Sequence, residues 1–176
     1  MNSYVEALRE QPEVNVMMVC LGNICRSPMA AAVLANRSLE IVKPKIVVSS
    51  SGTGSWHIGE GPNLKSKQVW EESGYQYDHT VQQFHTKMFN SQDLLLVMDR
   101  SNYENVIMLS NSDQDKRKVY FLRQFDPALN SLDPHIDYKN LEVPDPYYEP
   151  IDAYRKVLAM VESSITGLLD VLVGRK

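Results

Sequence analysis

Residues 19–28 read Val19-Cys20-Leu21-Gly22-Asn23-Ile24-Cys25-Arg26-Ser27-Pro28, and this stretch decides how the surrounding chain is expected to fold. It follows a nearly continuous apolar run at 14–19, which is typical of a strand buried on both faces. It precedes an alanine-rich segment at 29–39, which predicts a helix. Gly22 and Asn23 both tolerate positive φ, as a tightly curved loop requires. We therefore expect a tight loop between a buried strand and a helix.

The cysteine and the arginine of this loop, Cys20 and Arg26, are separated by five residues. A thiol at the base of such a loop would lie inside a ring of backbone N–H groups, with the guanidinium on the rim to clamp two phosphate oxygens. The N-terminus of the next helix adds unpaired N–H donors and a positive field, which favours phosphate binding and the thiolate form of the cysteine. Ser27-Pro28 predicts the cap and the first residue of that helix. The loop thus predicts a phosphate site with Cys20 as nucleophile. The expected phosphate contacts come from Leu21, Gly22, Asn23, Ile24, Cys25 and Ser27.

Apolar strands alternate with amphipathic helices along the chain, which favours a parallel α/β sheet with right-handed crossovers. We expect a single domain with a four-stranded parallel sheet, helices on both faces, and the phosphate-binding loop after the first strand. Ligands of such sheets bind beyond the carboxyl ends of the strands, where Cys20 is placed. The predicted strands are 14–19, 45–49, 94–98 and 119–122; the predicted helices are 29–39, 64–73, 101–109 and 151–172; the predicted loops include 111–118 and 124–145.

Length, charge and cysteine content narrow the class of protein. The 176 residues suffice for one domain, which we place at 14–176, after an N-terminal extension at 1–13 whose polar composition is compatible with disorder. The extension is unlike a signal peptide, and no apolar run reaches membrane-spanning length. The net charge of −4 argues against nucleic acid or an anionic membrane as partner. Two cysteines in one loop indicate reactive thiols in a reducing compartment, so we expect a cytoplasmic protein.

Hydrolysis of an aryl phosphate also needs an acid that protonates the leaving oxygen. Three aspartates precede a proline, Asp126, Asp133 and Asp145, and each is equally compatible with a surface turn. Asp145 lies between two prolines, and Tyr147 and Tyr148 follow it as aromatic walls for a flat substrate ring. Composition and spacing alone leave the choice among the three aspartates open.

The loop at 19–28 and the segment Val143-Pro144-Asp145-Pro146-Tyr147-Tyr148 resemble the signatures of the low-molecular-weight protein tyrosine phosphatases. The resemblance covers about 14–172. That family carries its general acid in an Asp-Pro-Tyr-Tyr segment late in the chain, so the resemblance assigns the acid to Asp145. It implies hydrolysis of phosphotyrosine in proteins, and of small aryl phosphates, through a phosphocysteine intermediate. It also implies tyrosine-phosphorylated proteins as partners, inorganic phosphate as product, and no cofactor or metal, because Arg26 and the loop supply the positive charge.

Weaker matches to the same family lie between these two motifs. Trp56, within the segment 50–59, resembles an aromatic wall of the substrate cleft. By similarity, Ser50 and His79 are expected to form hydrogen bonds with Asn23 that hold the phosphate loop open. The segment Met98-Asp99-Arg100-Ser101-Asn102, after the third predicted strand, resembles a segment of the family. A solvated aspartate at a helix start is an equally good interpretation of Asp99.

Three rival functions are considered: an arsenate reductase, a protein-arginine phosphatase, and a phosphoprotein-binding module without catalysis. Arsenate reductases of this fold need further cysteines late in the chain, and none follows Cys25. Arginine-directed relatives carry threonine where this chain has Ile24, and the pair Tyr147-Tyr148 favours an aryl phosphate. A binding module would not need both a nucleophile and an acid. The reductase and the arginine phosphatase stay open as alternatives.

Two interpretations of Cys25 also stay open. An oxidised Cys20 can be resolved as a disulfide by a thiol in the same loop, which predicts protection from irreversible oxidation. A buried cysteine is alternatively a small packing residue with no chemical role.

Overall fold

Four parallel strands form the central sheet of the computed structural model, which describes residues 3–174. The order across the sheet is β2-β1-β3-β4, so β1 is paired on both sides. The chain builds the sheet first to one side of β1 and then to the other, and the loop after β1 emerges where that order reverses. The expected four-stranded parallel sheet is confirmed. The strands are β1 (Glu13–Cys20), β2 (Lys45–Gly52), β3 (Leu94–Val97) and β4 (Val119–Phe121).

Helices cover both faces of the sheet, as expected. Successive β1 side chains alternate between two apolar layers, so that Met18 packs into the core beneath α2, α3 and α6, whereas Val19 packs into the core beneath α4. The apolar face predicted for the last helix is buried from Tyr154 to Leu172. The helices are α1 (Ser3–Ala7), α2 (Arg26–Arg37), α3 (Leu64–Glu72), α4 (Arg100–Met108), α5 (Asp113–Lys116) and α6 (Ile151–Val173).

The N-terminal extension corrects one expectation. Residues 3–13 are ordered rather than disordered: α1 is followed by a 3-10 turn at Leu8–Glu10, and β1 begins at Glu13. Val5 and Leu8 are buried in the main core, and α1 contacts α6. Two apolar anchors thus stabilise a helix too short to form alone. Residues 1 and 2 of the extension lie outside the described residues.

A second correction concerns 111–118, which was expected to be a loop. Its middle forms α5, because the Ser112 side chain accepts the N–H of Asp115 and caps a single helical turn. None of the helices within residues 3–174 is long and apolar enough to cross a membrane.

Candidate active site

The cysteine and the arginine lie where strand and helix meet. Cys20 is the last residue of β1, Arg26 is the first residue of α2, and both are almost fully buried. The predicted helix start is wrong by two residues. Ser27 does not cap the helix; its hydroxyl lies 3.0 Å from the Cys20 sulfur. Pro28 is the third helical residue, and it is accommodated because the first-turn N–H groups have no partner within a helix.

Asn23 gives the loop its curvature. Its φ is 56°, in the left-handed region, whereas Gly22 lies outside that region, so one of the two predicted positions is used. The Asn23 side chain is fully buried and every polar atom is bonded. Its Nδ2 donates to the hydroxyls of Ser27 at 2.8 Å and Ser50 at 2.9 Å, and its Oδ1 accepts the N–H of Gln82 at 3.0 Å. The Asn23 backbone N–H points at the Cys20 sulfur, 3.3 Å away.

These contacts impose a direction on the hydroxyl hydrogens. Because the Ser27 oxygen accepts from Asn23, its own hydrogen is left for the Cys20 sulfur at 3.0 Å or the Ser51 carbonyl at 3.4 Å. His79 Nε2 donates to the Asn23 carbonyl at 2.6 Å, which leaves Nδ1 to accept from the Ser50 hydroxyl at 3.5 Å. Burial lowers the pKa of His79, against the opposing effect of the Asn23 carbonyl, and so favours this neutral tautomer. The expected grouping of Ser50, His79 and Asn23 is present.

Arg26 is held by three acceptors. Its Nη1 donates to Asp99 Oδ2 at 2.6 Å and to the Val143 carbonyl at 3.0 Å, and its Nη2 donates to Asp145 Oδ2 at 3.2 Å. Burial alone would lower the pKa of Arg26, but the negative charges of Cys20, Asp99 and Asp145 outweigh it, and the pKa is raised. In the described part of the chain, Nε and the second hydrogen of Nη2 have no hydrogen-bond partner. Nε and Nη2 share one edge of the guanidinium, so an oxyanion bound to both nitrogens would compete with Asp145 for Nη2.

The structure brings one of the three Asp-Pro aspartates to the loop. Asp145 pairs with Arg26 and accepts the N–H of Tyr147 at 3.1 Å, which fixes the turn between the two prolines. Its side chain is 43% exposed and therefore accessible to a bound substrate. Asp126 is instead buried against the Ser163 hydroxyl, and Asp133 accepts the N–H of His135.

A cleft of about 420 Å³ opens above the loop. Trp56 and Tyr148 stand at its mouth, 70% and 93% exposed, and Tyr147 meets Tyr148 edge-on at 4.8 Å between ring centroids. Gly54 lets the indole fold back on the chain, since a Cβ there would lie 1.8 Å from the Trp56 ring. The lining residues are Cys20, Leu21, Gly22, Ile24, Cys25, Arg26, Trp56, His57, Asp145, Tyr147, Tyr148 and Glu149.

Cys25 lines the same cleft but differs from Cys20 in its surroundings. Its sulfur lies 3.9 Å from the Tyr154 hydroxyl, which also approaches the Tyr147 carbonyl at 3.2 Å. Burial raises the pKa of Cys25 to about 12, with the negative charges of Cys20 and Asp145 acting in the same direction. Cys25 is therefore a neutral thiol at pH 7.

Among residues 3–174, no group of three or more His, Cys, Asp or Glu side chains is arranged to hold a metal ion. The positive end of the cleft is made by the Arg26 guanidinium and by backbone N–H groups at the start of α2.

Two contributors to the site, Gln82 and Gly52, were not identified from the sequence, and the sequence left two interpretations of Asp99 open. Asp99 caps α4 through the Asn102 N–H and also binds Arg26, so both interpretations of it hold at once. Gln82 bonds Asn23 and the Ser50 carbonyl. Gly52 ends β2 beside the loop, where a Cβ would lie 2.7 Å from the Leu21 oxygen. The position of Asp99 just after a neighbouring parallel strand was the one usable signal for it.

Comparisons with known proteins agree with this geometry. A sequence model described as low molecular weight phosphotyrosine protein phosphatase matches residues 15–176. A low molecular weight protein-tyrosine-phosphatase of Streptomyces coelicolor is 40% identical over 155 residues, which cover 88% of this chain and 90% of that protein.

Solved structures are similar over the same region. A protein tyrosine phosphatase from Entamoeba histolytica superposes with a TM-score of 0.77 at 28% identity, covering 93% of this chain and 99% of that one. An arginine phosphatase from Geobacillus stearothermophilus superposes with a TM-score of 0.73 at 27% identity, covering 89% and 91%. The sequence match and the shared fold together show that this chain belongs to the low molecular weight phosphotyrosine protein phosphatase family.

Proposed function

We propose that this protein is a cysteine-dependent phosphatase that hydrolyses phosphotyrosine in proteins, and small aryl phosphates, through a phosphocysteine intermediate. The observation that carries the proposal is the convergence of a thiol, a guanidinium and a carboxylate on one cleft. The Cys20 sulfur lies at its base, and Arg26 Nη2 lies 3.2 Å from Asp145 Oδ2 at its side. Family membership and the aromatic walls support the same assignment.

The first step is attack of the Cys20 thiolate on phosphorus, with the P–O bond to the phenol breaking in line. Nε and Nη2 of Arg26, together with the loop N–H groups, bind the equatorial oxygens, where charge redistributes in the transition state. The Ser27 hydroxyl and the Asn23 N–H stabilise the negative charge of the sulfur before attack and again as it leaves.

The leaving phenolate takes a proton from Asp145. In the second step the ionised Asp145 removes a proton from water, which attacks the phosphocysteine, releases inorganic phosphate and regenerates the thiolate. A dianionic ester bound to Arg26 would replace the ion pair with Asp145.

The choice of substrate rests on the cleft. Trp56 and Tyr147 line the cleft with aromatic rings on which a flat aryl ring can pack, and Ile24 adds an apolar side chain. An arginine phosphatase is the second candidate, because a solved relative with that activity shares the fold. The phosphoguanidine of such a substrate is planar and polar, so it would gain less from these apolar walls than a phenyl ring.

We also propose that the catalytic domain spans 14–176, that tyrosine-phosphorylated proteins are its partners, and that it acts in the cytoplasm. The two free cysteines of the described chain fit a reducing compartment.

The test is hydrolysis of p-nitrophenyl phosphate in EDTA, with a phosphotyrosine peptide, a phosphoarginine protein and arsenate with thiols assayed in parallel. We expect turnover of the first two substrates, and no turnover but retained phosphate binding in Cys20→Ser. Faster release of phosphate from phosphoarginine than from phosphotyrosine would select the second candidate. A Cys20→Ser enzyme that keeps about a tenth of the wild-type rate would remove Cys20 from the role of nucleophile.

A further inference from the structure

A second cavity of about 530 Å³ lies along β4, the edge strand of the sheet. Among the described residues, its lining and that of the catalytic cleft have no residue in common. Its floor is apolar and buried, with Val119 and Phe121 of β4 beside Phe125, while Arg100 and Arg117 are exposed at its mouth. The cavity thus has an apolar floor, walls of mixed polar and apolar side chains, and a cationic entrance.

The N-terminal extension builds one wall of this cavity. Val5 of α1 lines it, and the Arg117 guanidinium lies over the Tyr4 ring at 5.3 Å from the centroid. The family match begins at residue 15, so this wall comes from residues that precede the matched region. Residues 3–10, which pack on α6, therefore add a side wall to a half-open cavity at this sheet edge.

The charges at the mouth are unequal. Arg100, Lys116 and Arg117 face a single lining carboxylate, Glu104, which pairs with Arg100 at 2.7 Å. Lys116 pairs with Asp113 at 3.3 Å. Within residues 3–174, Arg117 has no carboxylate oxygen within 4.0 Å, so its charge is the least compensated. An anionic ligand group would therefore be attracted to Arg117.

Aromatic rings complete the recognition surface. Tyr103 lies parallel to Phe121 with ring centroids 5.3 Å apart, and Arg100 covers the Tyr138 ring at 4.3 Å. Sites for small molecules are typically concave and apolar, with a few polar groups that fix orientation. A cavity of this size and lining can hold a bicyclic aromatic ring.

We propose that this cavity is a binding site for a small aromatic carboxylate. Its ring lies against the apolar floor beside Tyr103 and Phe121, and its carboxylate accepts hydrogen bonds from the Arg117 guanidinium at the mouth. The proposal is independent of the activity assigned to the cleft.

The test uses naphthalene-2-carboxylate, with the neutral naphthalene-2-carboxamide as matched probe, in ¹H–¹⁵N chemical-shift titrations of the full chain. Inorganic phosphate is present throughout to occupy the catalytic loop. We expect saturable shifts at 117–121 and at Tyr138, and about tenfold weaker binding of the carboxamide, the factor expected when one charge-assisted hydrogen bond is lost. Arg117→Gln should lower the affinity for the carboxylate by a similar factor. Arg155→Gln, which changes an exposed arginine paired with Glu72 and Asp152, should leave it unchanged.

Each contrary result overturns the proposal. Shifts confined to 20–27 and 145–148 would place the probe in the catalytic cleft instead. Equal binding of the two probes, or an unchanged affinity in Arg117→Gln, would show that Arg117 recognises no carboxylate. The absence of saturable binding would show that the cavity does not accept such a ligand.

Discussion

Replacing Asn23 by alanine is the sharpest test of how the catalytic loop is held. The side chain is fully buried and makes three hydrogen bonds, to the hydroxyls of Ser27 and Ser50 and from the N–H of Gln82. Each such bond contributes about 1 kcal/mol net, so the three together contribute about 3 kcal/mol. Alanine at φ 56° adds about 1 kcal/mol of backbone strain.

Asn23→Ala should therefore lower the free energy of unfolding by about 4 kcal/mol, a large part of the roughly 5–15 kcal/mol typical of a domain. For a chain of this length, that loss corresponds to a fall in Tm of about 8–16 °C. The Ser27 hydroxyl, which lies 3.0 Å from the Cys20 sulfur, also loses the Asn23 donor that holds it in place. We expect kcat to fall by at least about tenfold at temperatures where the variant is folded, since an unsupported nucleophile is poorly positioned.

Urea denaturation and steady-state kinetics on three variants separate these effects. Asn23→Gly should recover about 1 kcal/mol relative to alanine, because glycine adopts positive φ without strain. Ser112→Ala, at the N-cap of α5 before the edge strand β4, should cost about 1 kcal/mol and leave kcat intact. A loss of less than about 1 kcal/mol in Asn23→Ala, or an unchanged kcat, would refute the reasoning.

Three other predictions concern the acid, the histidine and the second thiol. Asp145→Ala should lower kcat by about 10²–10⁴-fold for aryl phosphates with poor leaving groups and much less for good ones; Asp133→Ala is the control, and equal losses for both classes of substrate would reject the acid role. Burial lowers the folded-state pKa of His79 from 6.5, so just below pH 6.5 the unfolded chain binds more protons than the folded chain. The free energy of unfolding therefore decreases as the pH is lowered. The urea midpoint should drop between pH 7 and 5, and drop less in His79→Gln; parallel curves would show that His79 does not titrate on unfolding. Peroxide should inactivate the enzyme, and dithiothreitol should restore its activity less completely in Cys25→Ser than in the wild type. Equal recovery of the two proteins, or the absence of a Cys20–Cys25 disulfide by mass spectrometry, would leave Cys25 as a packing residue.

The raised pKa of Cys25 sharpens that redox experiment. A neutral thiol is a poor nucleophile, so Cys25 would attack the sulfenic acid of Cys20 slowly until the loop moves and exposes it. The rate of disulfide formation should therefore rise with pH above neutrality.

Local patterns were enough to predict the sheet and the loop. The apolar run before Cys20 and the spacing of apolar residues in α6 each follow from burial of one element, and each is found where expected. The expected start of α2 is two residues too late. Ser27 and Pro28 have strong local preferences for a helix cap and for the first helical position, but the Ser27 hydroxyl contacts Cys20 instead of capping the helix.

Contacts between distant segments could not be predicted from one sequence. Asp99 lies 73 residues from Arg26, and nothing in its local pattern distinguishes a guanidinium partner from a helix cap. The five residues of α1 carry too little intrinsic helix preference to be predicted, and their order depends on burial of Val5 and Leu8 against the rest of the chain. Asp145 was chosen by resemblance, and its contact with Arg26 supports that choice independently.

The two carboxylates on Arg26 are not equivalent, and the difference bears on how substrate enters. The Asp99 carboxylate lies 2.6 Å from the guanidinium, compared with 3.2 Å for Asp145, and its side chain is 22% exposed, compared with 43%. Asp99 also caps the start of α4. Asp145 is held by its own short turn and faces the open cleft. A phosphate ester that binds Nε and Nη2 of Arg26 would therefore displace Asp145 from Nη2 and leave Asp99 on Nη1. We infer that Asp99 orients the guanidinium throughout the reaction, whereas Asp145 exchanges its contact with Arg26 for one with the leaving oxygen.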